Sequence, residues 1–279
     1  MDAEIISADS RQLYRQMDIG TGKDLEEYVV DGVKIPYHLI DIKEPGYKYN
    51  IGEFQQDFTQ AYLDIDGRNK PVILCGGSGL YIETALNGNS FLGIPANVTL
   101  RESFEKKSDA ELRELYEALP HSLKEKLNSE TRRRIIRAIE VNEFKKENPD
   151  WEEIKPLKLN YTIIGLDIDR ELRREKITKR LSHRLNHGMI EEVQTLLDQG
   201  LKFEDLEWYG LEYKWLGLYL KGDISKKEMF ERLNVAIHQF AKRQMTWFRR
   251  MEKNGYHIHW IDASKSLEEK TVESLMFFV

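Results

Sequence analysis

The sequence predicts an α/β fold in which a parallel sheet is flanked by helices and interrupted by an all-helical insertion. Two observations carry this reading. Short apolar runs alternate with amphipathic helical stretches, an alternation that favours parallel strands with helices on both faces. Across residues 95–156 the strand signal disappears and charged helical segments take over.

The first apolar run, Glu4-Ile5-Ile6-Ser7, ends on polar residues and leads into a helical pattern. Tyr37-His38-Leu39-Ile40-Asp41-Ile42 and Pro71-Val72-Ile73-Leu74-Cys75 read as buried strands. Between them Ile51, Phe54, Phe58, Tyr62 and Ile65 share one helix face. Gly76-Gly77-Ser78-Gly79 then turns the chain into a helix from about Leu80. Asn128-Ser129-Glu130-Thr131 reads as a helix start, and Ile135, Ile136, Ile139 and Phe144 follow at helical spacing. The core resumes at Tyr161-Thr162-Ile163-Ile164-Gly165-Leu166, long helices run to about Arg250, and a last strand covers residues 257–261. The expected organisation is an α/β core of residues 1–94 and 157–279 around a helical insertion of residues 95–156.

With 279 residues, 41% hydrophobic and 32% charged, the chain has the composition of a globular protein with a sizeable core. No run approaches the roughly 18 apolar residues of a membrane span, and the first residues lack the basic flank and apolar stretch of a signal peptide, so the expected compartment is the cytoplasm. Cys75 is the only cysteine, which excludes an internal disulfide and a cysteine-based zinc site, and its apolar neighbours predict a small buried residue. His183 with His187, and His257 with His259, could be metal ligands by spacing, but no acidic partner signature accompanies them and solvent exposure is expected. A formal net charge of −6 argues mildly against a nucleic-acid partner, although local clustering of basic residues matters more than the sum.

In open α/β sheets, ligands sit beyond the carboxyl ends of the strands. After the first strand, Asp9, Ser10, Arg11 and Gln12 supply a carboxylate, a hydroxyl, a guanidinium and an amide. After the third, Gly76 and Gly77 precede Ser78 on a turn whose N–H groups can approach an anion. Each has a plainer reading, since Asp9 could cap a helix and a Gly-Gly-Ser turn is often only a turn. Arg132-Arg133-Arg134 with Arg137 forms a basic helical face, and Lys242, Arg243, Gln244, Trp247 and Arg249 form a second that carries an aromatic. Such runs are also common as solvated helix faces.

Residues 5–14, Met17-Asp18-Ile19-Gly20-Thr21, His38-Leu39-Ile40-Asp41, residues 76–81, 133–140, 211–216 and 241–249 together resemble the tRNA dimethylallyltransferase (tRNA isopentenyltransferase) family, in the family's order and across nearly the whole chain. The resemblance implies attack of an adenine N6 amine, next to the tRNA anticodon, on dimethylallyl diphosphate. It implies Asp9 as the base that takes the amine proton, and Ser78, where threonine is usual, as a hydrogen-bond donor to the leaving diphosphate. Gly76, Gly77, Arg101 and Lys214 would bind the diphosphate, with Glu212 standing where a glycine is common. Ser10, Arg11, Gln12, Arg133, Arg134, Arg137, Lys242, Arg243, Gln244, Trp247 and Arg249 would contact the anticodon stem-loop. Mg2+ would accompany the diphosphate, and the chain is expected to act as a monomer.

The Gly-x-x-x-x-Gly-Lys-Thr loop of such enzymes does not occur in these 279 residues. The fold implied is therefore a P-loop-NTPase-like parallel sheet with its first strand and P-loop missing. A chain of this kind is expected to be poorly stable or rearranged, and weakly active or inactive. Two other readings stand beside transfer: an RNA-binding remnant without transferase chemistry, and, on fold class alone, a nucleotide-kinase-like phosphotransferase.

Overall fold

The computed structural model describes residues 2–88, 90–127, 129–152 and 156–278. The chain divides into two compact units, one formed by Met1–Leu86 with Lys158–Val279 and the other by Asn87–Leu157.

In the first unit, β1 (Glu4–Ser7) is followed by a small antiparallel hairpin, β2 (Val29–Val30) and β3 (Val33–Lys34), then β4 (Tyr37–His38), α1 (Ile51–Gly67), β5 (Val72–Cys75) and α2 (Gly79–Asn87). β1 lies between β4 and β5 and is parallel to both, with Ile6 opposite His38 and Leu74. Asn50 starts α1 through a capping box with Glu53, which satisfies N–H groups that a helix start would otherwise leave open. The face carrying Phe54, Phe58 and Ile65 is buried as the periodicity requires, and Phe54 stacks on Tyr81 of α2 with ring centroids 4.0 Å apart. Full burial of side chains of this size contributes about 1.5–3 kcal/mol each.

Three expectations need correction here. No helix follows β1; among the described residues the next α-helix is α1, and residues 8–24 form turns instead. Side chains take the backbone groups that a helix would have used: Lys23, whose side chain is fully buried, donates to the Tyr14 carbonyl at 2.6 Å and holds both Asp18 and Asp41. The strand expected through Ile42 stops at His38, because Leu39 and Asp41 turn to positive φ (61° and 55°). Cys75 is exposed, not buried: among the described residues β5 is paired on one side only, and Ile73 and Cys75 share its open face.

The second unit is helical, with α3 (Val98–Glu105), α4 (Asp109–Glu117), α5 (His121–Lys126) and α6 (Arg132–Glu147). Phe104, Leu112, Tyr116, Ile135 and Ile139 form its core. Thr131 caps α6 by accepting from Arg134 N, while Asn128 of the expected helix start falls outside the described residues.

The first unit then continues with β6 (Ile163–Asp167), α7 (Arg170–Leu185), α8 (Met189–Asp198), α9 (Phe203–Leu206), α10 (Leu211–Leu220), α11 (Lys226–Lys253), β7 (Ile258–Asp262) and α12 (Leu267–Leu275). β6 and β7 form a parallel pair in register from Ile163–Ile258 to Asp167–Asp262. The parallel sheet predicted from the alternation is thus present as a three-stranded and a two-stranded piece. Among the described residues no helix is long and apolar enough to cross a membrane.

Candidate active site

The carboxyl ends of β1 and β5 are tied together. Ala8 N donates to the Cys75 carbonyl at 2.7 Å, and Ser78 N donates to the Ala8 carbonyl at 3.3 Å. Gly76 is needed at this crossing, since a Cβ there would lie 2.5 Å from the backbone carbon and oxygen of Ala8. Ser78 immediately precedes α2, so its hydroxyl sits at the positive end of that helix. The same hydroxyl accepts from Ser10 N at 3.2 Å and lies 3.4 Å from Ser10 Oγ.

Asp9 accepts the Arg11 backbone N–H at 2.8 Å, the contact a helix cap would make, but no helix follows it. The carboxylate therefore closes a turn and remains at the strand end. Burial pushes its pKa above the usual carboxylate range, against the opposing pull of the Arg11 N–H and guanidinium. Ser7 Oγ accepts from Asp9 N at 3.3 Å and donates to Gln12 Oε1 at 3.0 Å, while Gln12 Nε2 donates to the Gly22 carbonyl at 3.0 Å. Arg11 reaches the Trp208 carbonyl just before α10. There Glu212 is likewise pushed upward, first by burial and in part by the Asp9 charge, with Arg180 and Arg184 pulling it down.

Helix α11 braces the glycine-rich turn. Gln244 Nε2 donates to the Gly77 carbonyl at 3.0 Å, and Trp247 Nε1 donates to Glu83 of α2 at 2.9 Å. Arg250 stacks on Trp247 at 4.0 Å and bonds the same glutamate. Gly79 packs directly against the Trp247 ring, so a larger residue there would displace the helix.

The family model described as IPP transferase matches residues 12–251 of this chain, which takes in Gln12, the end of β5, the glycine-rich turn and nearly all of α11. The chain belongs to the IPP transferase family. It is 55% identical to tRNA dimethylallyltransferase 1 of Parabacteroides distasonis over 99% of this chain and 89% of that one. It is 54% identical to tRNA dimethylallyltransferase 2 of Phocaeicola vulgatus, over 97% and 87% respectively. Among solved structures, the tRNA delta(2)-isopentenylpyrophosphate transferase of Staphylococcus epidermidis superposes with a TM-score of 0.67 at 29% identity, covering 99% of this chain and 90% of that one. The tRNA isopentenylpyrophosphate transferase of Bacillus halodurans gives 0.70 at 27%, covering 99% and 87%.

In this IPP transferase the remaining sequence-derived candidates divide by their partners. Asp9, Ser10, Arg11, Gln12, Gly76, Gly77, Ser78 and Gln244 form one connected cluster. Gln244 donates to the Gly77 carbonyl and Trp247 to the Glu83 carboxylate. Lys242, Arg243 and Arg249 are exposed on α11. Lys214 pairs with Glu207. Arg101 lies in the helical unit, where both oxygens of buried Glu140 bind it at 2.6 and 2.9 Å. Arg137 donates to the carbonyls of Phe91 and Ile94 at 3.0 and 2.7 Å, Arg134 pairs with Glu130, and Arg133 is exposed. The basic run at the start of α6 is therefore partly a set of internal braces.

Sequence reading missed Lys23, Glu83 and Glu192. Only Lys23 had a signal, the segment Asp18-Ile19-Gly20-Thr21-Gly22-Lys23, whose closely spaced glycines mark a tight polar loop. Among the described residues no group of three or more His, Cys, Asp or Glu side chains could hold a metal. Magnesium commonly binds through substrate phosphates with few protein ligands, so a dedicated protein cage is not required of such a site.

Proposed function

We propose that this chain transfers a dimethylallyl group from dimethylallyl diphosphate to N6 of an adenine next to the tRNA anticodon. The N6 lone pair attacks the first carbon of the donor. The carbon–oxygen bond breaks, and diphosphate leaves with its electron pair. The surplus N6 proton passes to Asp9. The observation that carries this reading is the half-buried Asp9 carboxylate at the end of β1, joined through Ser10 to a hydroxyl at the N-terminus of α2.

The two strand ends suit the two halves of the reaction. A carboxylate with a raised pKa accepts a proton more readily than an ordinary one, provided it is ionised at the working pH. On the other side, the Ser78 hydroxyl and the positive end of α2 suit an oxygen that gathers negative charge. Gly76 and Gly77 let backbone N–H groups approach that anion. Magnesium would arrive with the diphosphate and help to neutralise it. Arg101 and Lys214 have carboxylate partners here, so an anion would have to compete with Glu140 and Glu207 for them. Exposed Arg133, Lys242, Arg243 and Arg249 are available for phosphates of the anticodon stem-loop.

The test is incubation of the chain with labelled dimethylallyl diphosphate and unmodified tRNA. Label in the tRNA supports transfer. RNA binding without label supports the remnant reading instead.

A further inference from the structure

A second line of hydrogen bonds reaches the site from α8. The Glu192 carboxylate fills a nest of three successive backbone N–H groups: Oε2 accepts from Asp18 at 2.8 Å and Ile19 at 2.7 Å, and Oε1 accepts from Gly20 at 3.0 Å. Oε1 also accepts the Tyr213 hydroxyl of α10 at 2.8 Å. Tyr213 is fully buried, and Gly20 packs so closely that a Cβ would lie 2.7 Å from its hydroxyl oxygen. From the other end of the loop, Lys23 holds Asp18 and Asp41.

The loop meets the Gln12 side chain through the Gly22 carbonyl. Gly22 O fixes Gln12 Nε2, so with Ser7 on Oε1 the Gln12 amide is held in one orientation beside Asp9. Removing the Glu192 charge would leave three converging N–H dipoles and a buried hydroxyl short of their acceptor, and the cheapest relief is movement of the loop. Gly22 would move with it. The ties around Ser78 do not pass through this loop: Ser10 N, Ala8 O and Gln244 hold that turn.

We propose that Glu192 is a positioning residue for the nucleotide-facing half of the site. It acts through residues 17–24 on Gln12 and leaves the diphosphate half unaffected. This rests on the transfer reading above.

Glu192→Gln keeps the side-chain size but loses the charge and one acceptor. It should speed hydrogen exchange in residues 17–24, raise the Kd for an anticodon stem-loop RNA and the KM for tRNA about tenfold, and leave the KM for dimethylallyl diphosphate unchanged. Glu191→Gln, on the exposed side of α8, should change none of these. Unaltered RNA affinity in Glu192→Gln overturns the proposal. A parallel loss of affinity for both substrates also overturns it, since that marks general loosening. If the unmodified chain transfers no dimethylallyl group, the functional reading fails separately, while RNA affinity and exchange still decide the role of Glu192.

Discussion

The backbone nitrogen of Ser10 donates to Ser78 Oγ at 3.2 Å, fastening the residue after Asp9 to the turn that opens α2. One hydroxyl thus joins the end of β1 that carries Asp9 to the glycine-rich turn after β5.

Ser78→Thr keeps the hydroxyl and should retain transfer. Ser78→Ala should lower kcat by about 10²-fold, the scale for losing one donor to developing negative charge. Single-turnover kinetics on the two variants compare them directly, and equal rates would remove Ser78 from the mechanism.

Asp9→Asn keeps the shape of the turn and removes the proton acceptor. Transfer should fall by about 10²–10⁴-fold while RNA affinity stays near that of the unmodified chain. Normal transfer by this variant would show that another group takes the N6 proton.

The pH dependence follows from the direction of the Asp9 shift. Burial raises its pKa, and only the ionised form accepts a proton, so the rate should rise with pH through the raised value and then level off. The Arg11 guanidinium pulls that pKa down, so Arg11→Ala should move the rising limb to higher pH. A limb that stays in place under saturating RNA would mean that a different group titrates.

Acid stability should centre on buried Glu4. Arg68 and His38 bond its carboxylate and hold the pKa down to about 2 from 4.5, although burial opposes them. A depressed folded-state pKa contributes stability above 4.5 that is lost as pH falls from 4.5 towards 2. Thermal melts taken from neutral pH downward should therefore show a steeper decline for the unmodified chain than for Glu4→Gln, and identical slopes would contradict the assignment.

Gly76→Ala should be destabilising by about 1–3 kcal/mol, because the new Cβ meets the backbone of Ala8 and neither strand end can yield without separating. Chemical denaturation measures the loss. A neutral result would mean that the crossing is looser than the 2.5 Å approach implies.

Much of the fold and part of the site were legible in the sequence. Local pattern marked β1, α1, β5, β6 and β7, because apolar periodicity and capping residues such as Asn50 act over a few neighbours. It also marked Asp9 and Ser78, since strand-end polar residues and a glycine turn are local signals. The helix expected after β1 failed for the opposite reason. The buried Lys23 side chain, paired with Asp18 and Asp41, pins this segment, and no local rule foresees a buried lysine that takes one of its partners from a separate turn.

The sequence by itself determined the chemistry at the strand ends: which residue can take a proton, which hydroxyl lies on a glycine turn, and the parallel α/β order that brings such ends to one side. Tertiary structure alone decided what each charge is used for. Arg101 meets Glu140, Trp247 meets Glu83, and Glu192 reaches the N–H groups of Asp18 to Gly20, all across separations of more than a hundred residues or between separate helices. A long side chain takes the partner that packing presents to it, and packing is a property of the whole core, not of the residues on either side.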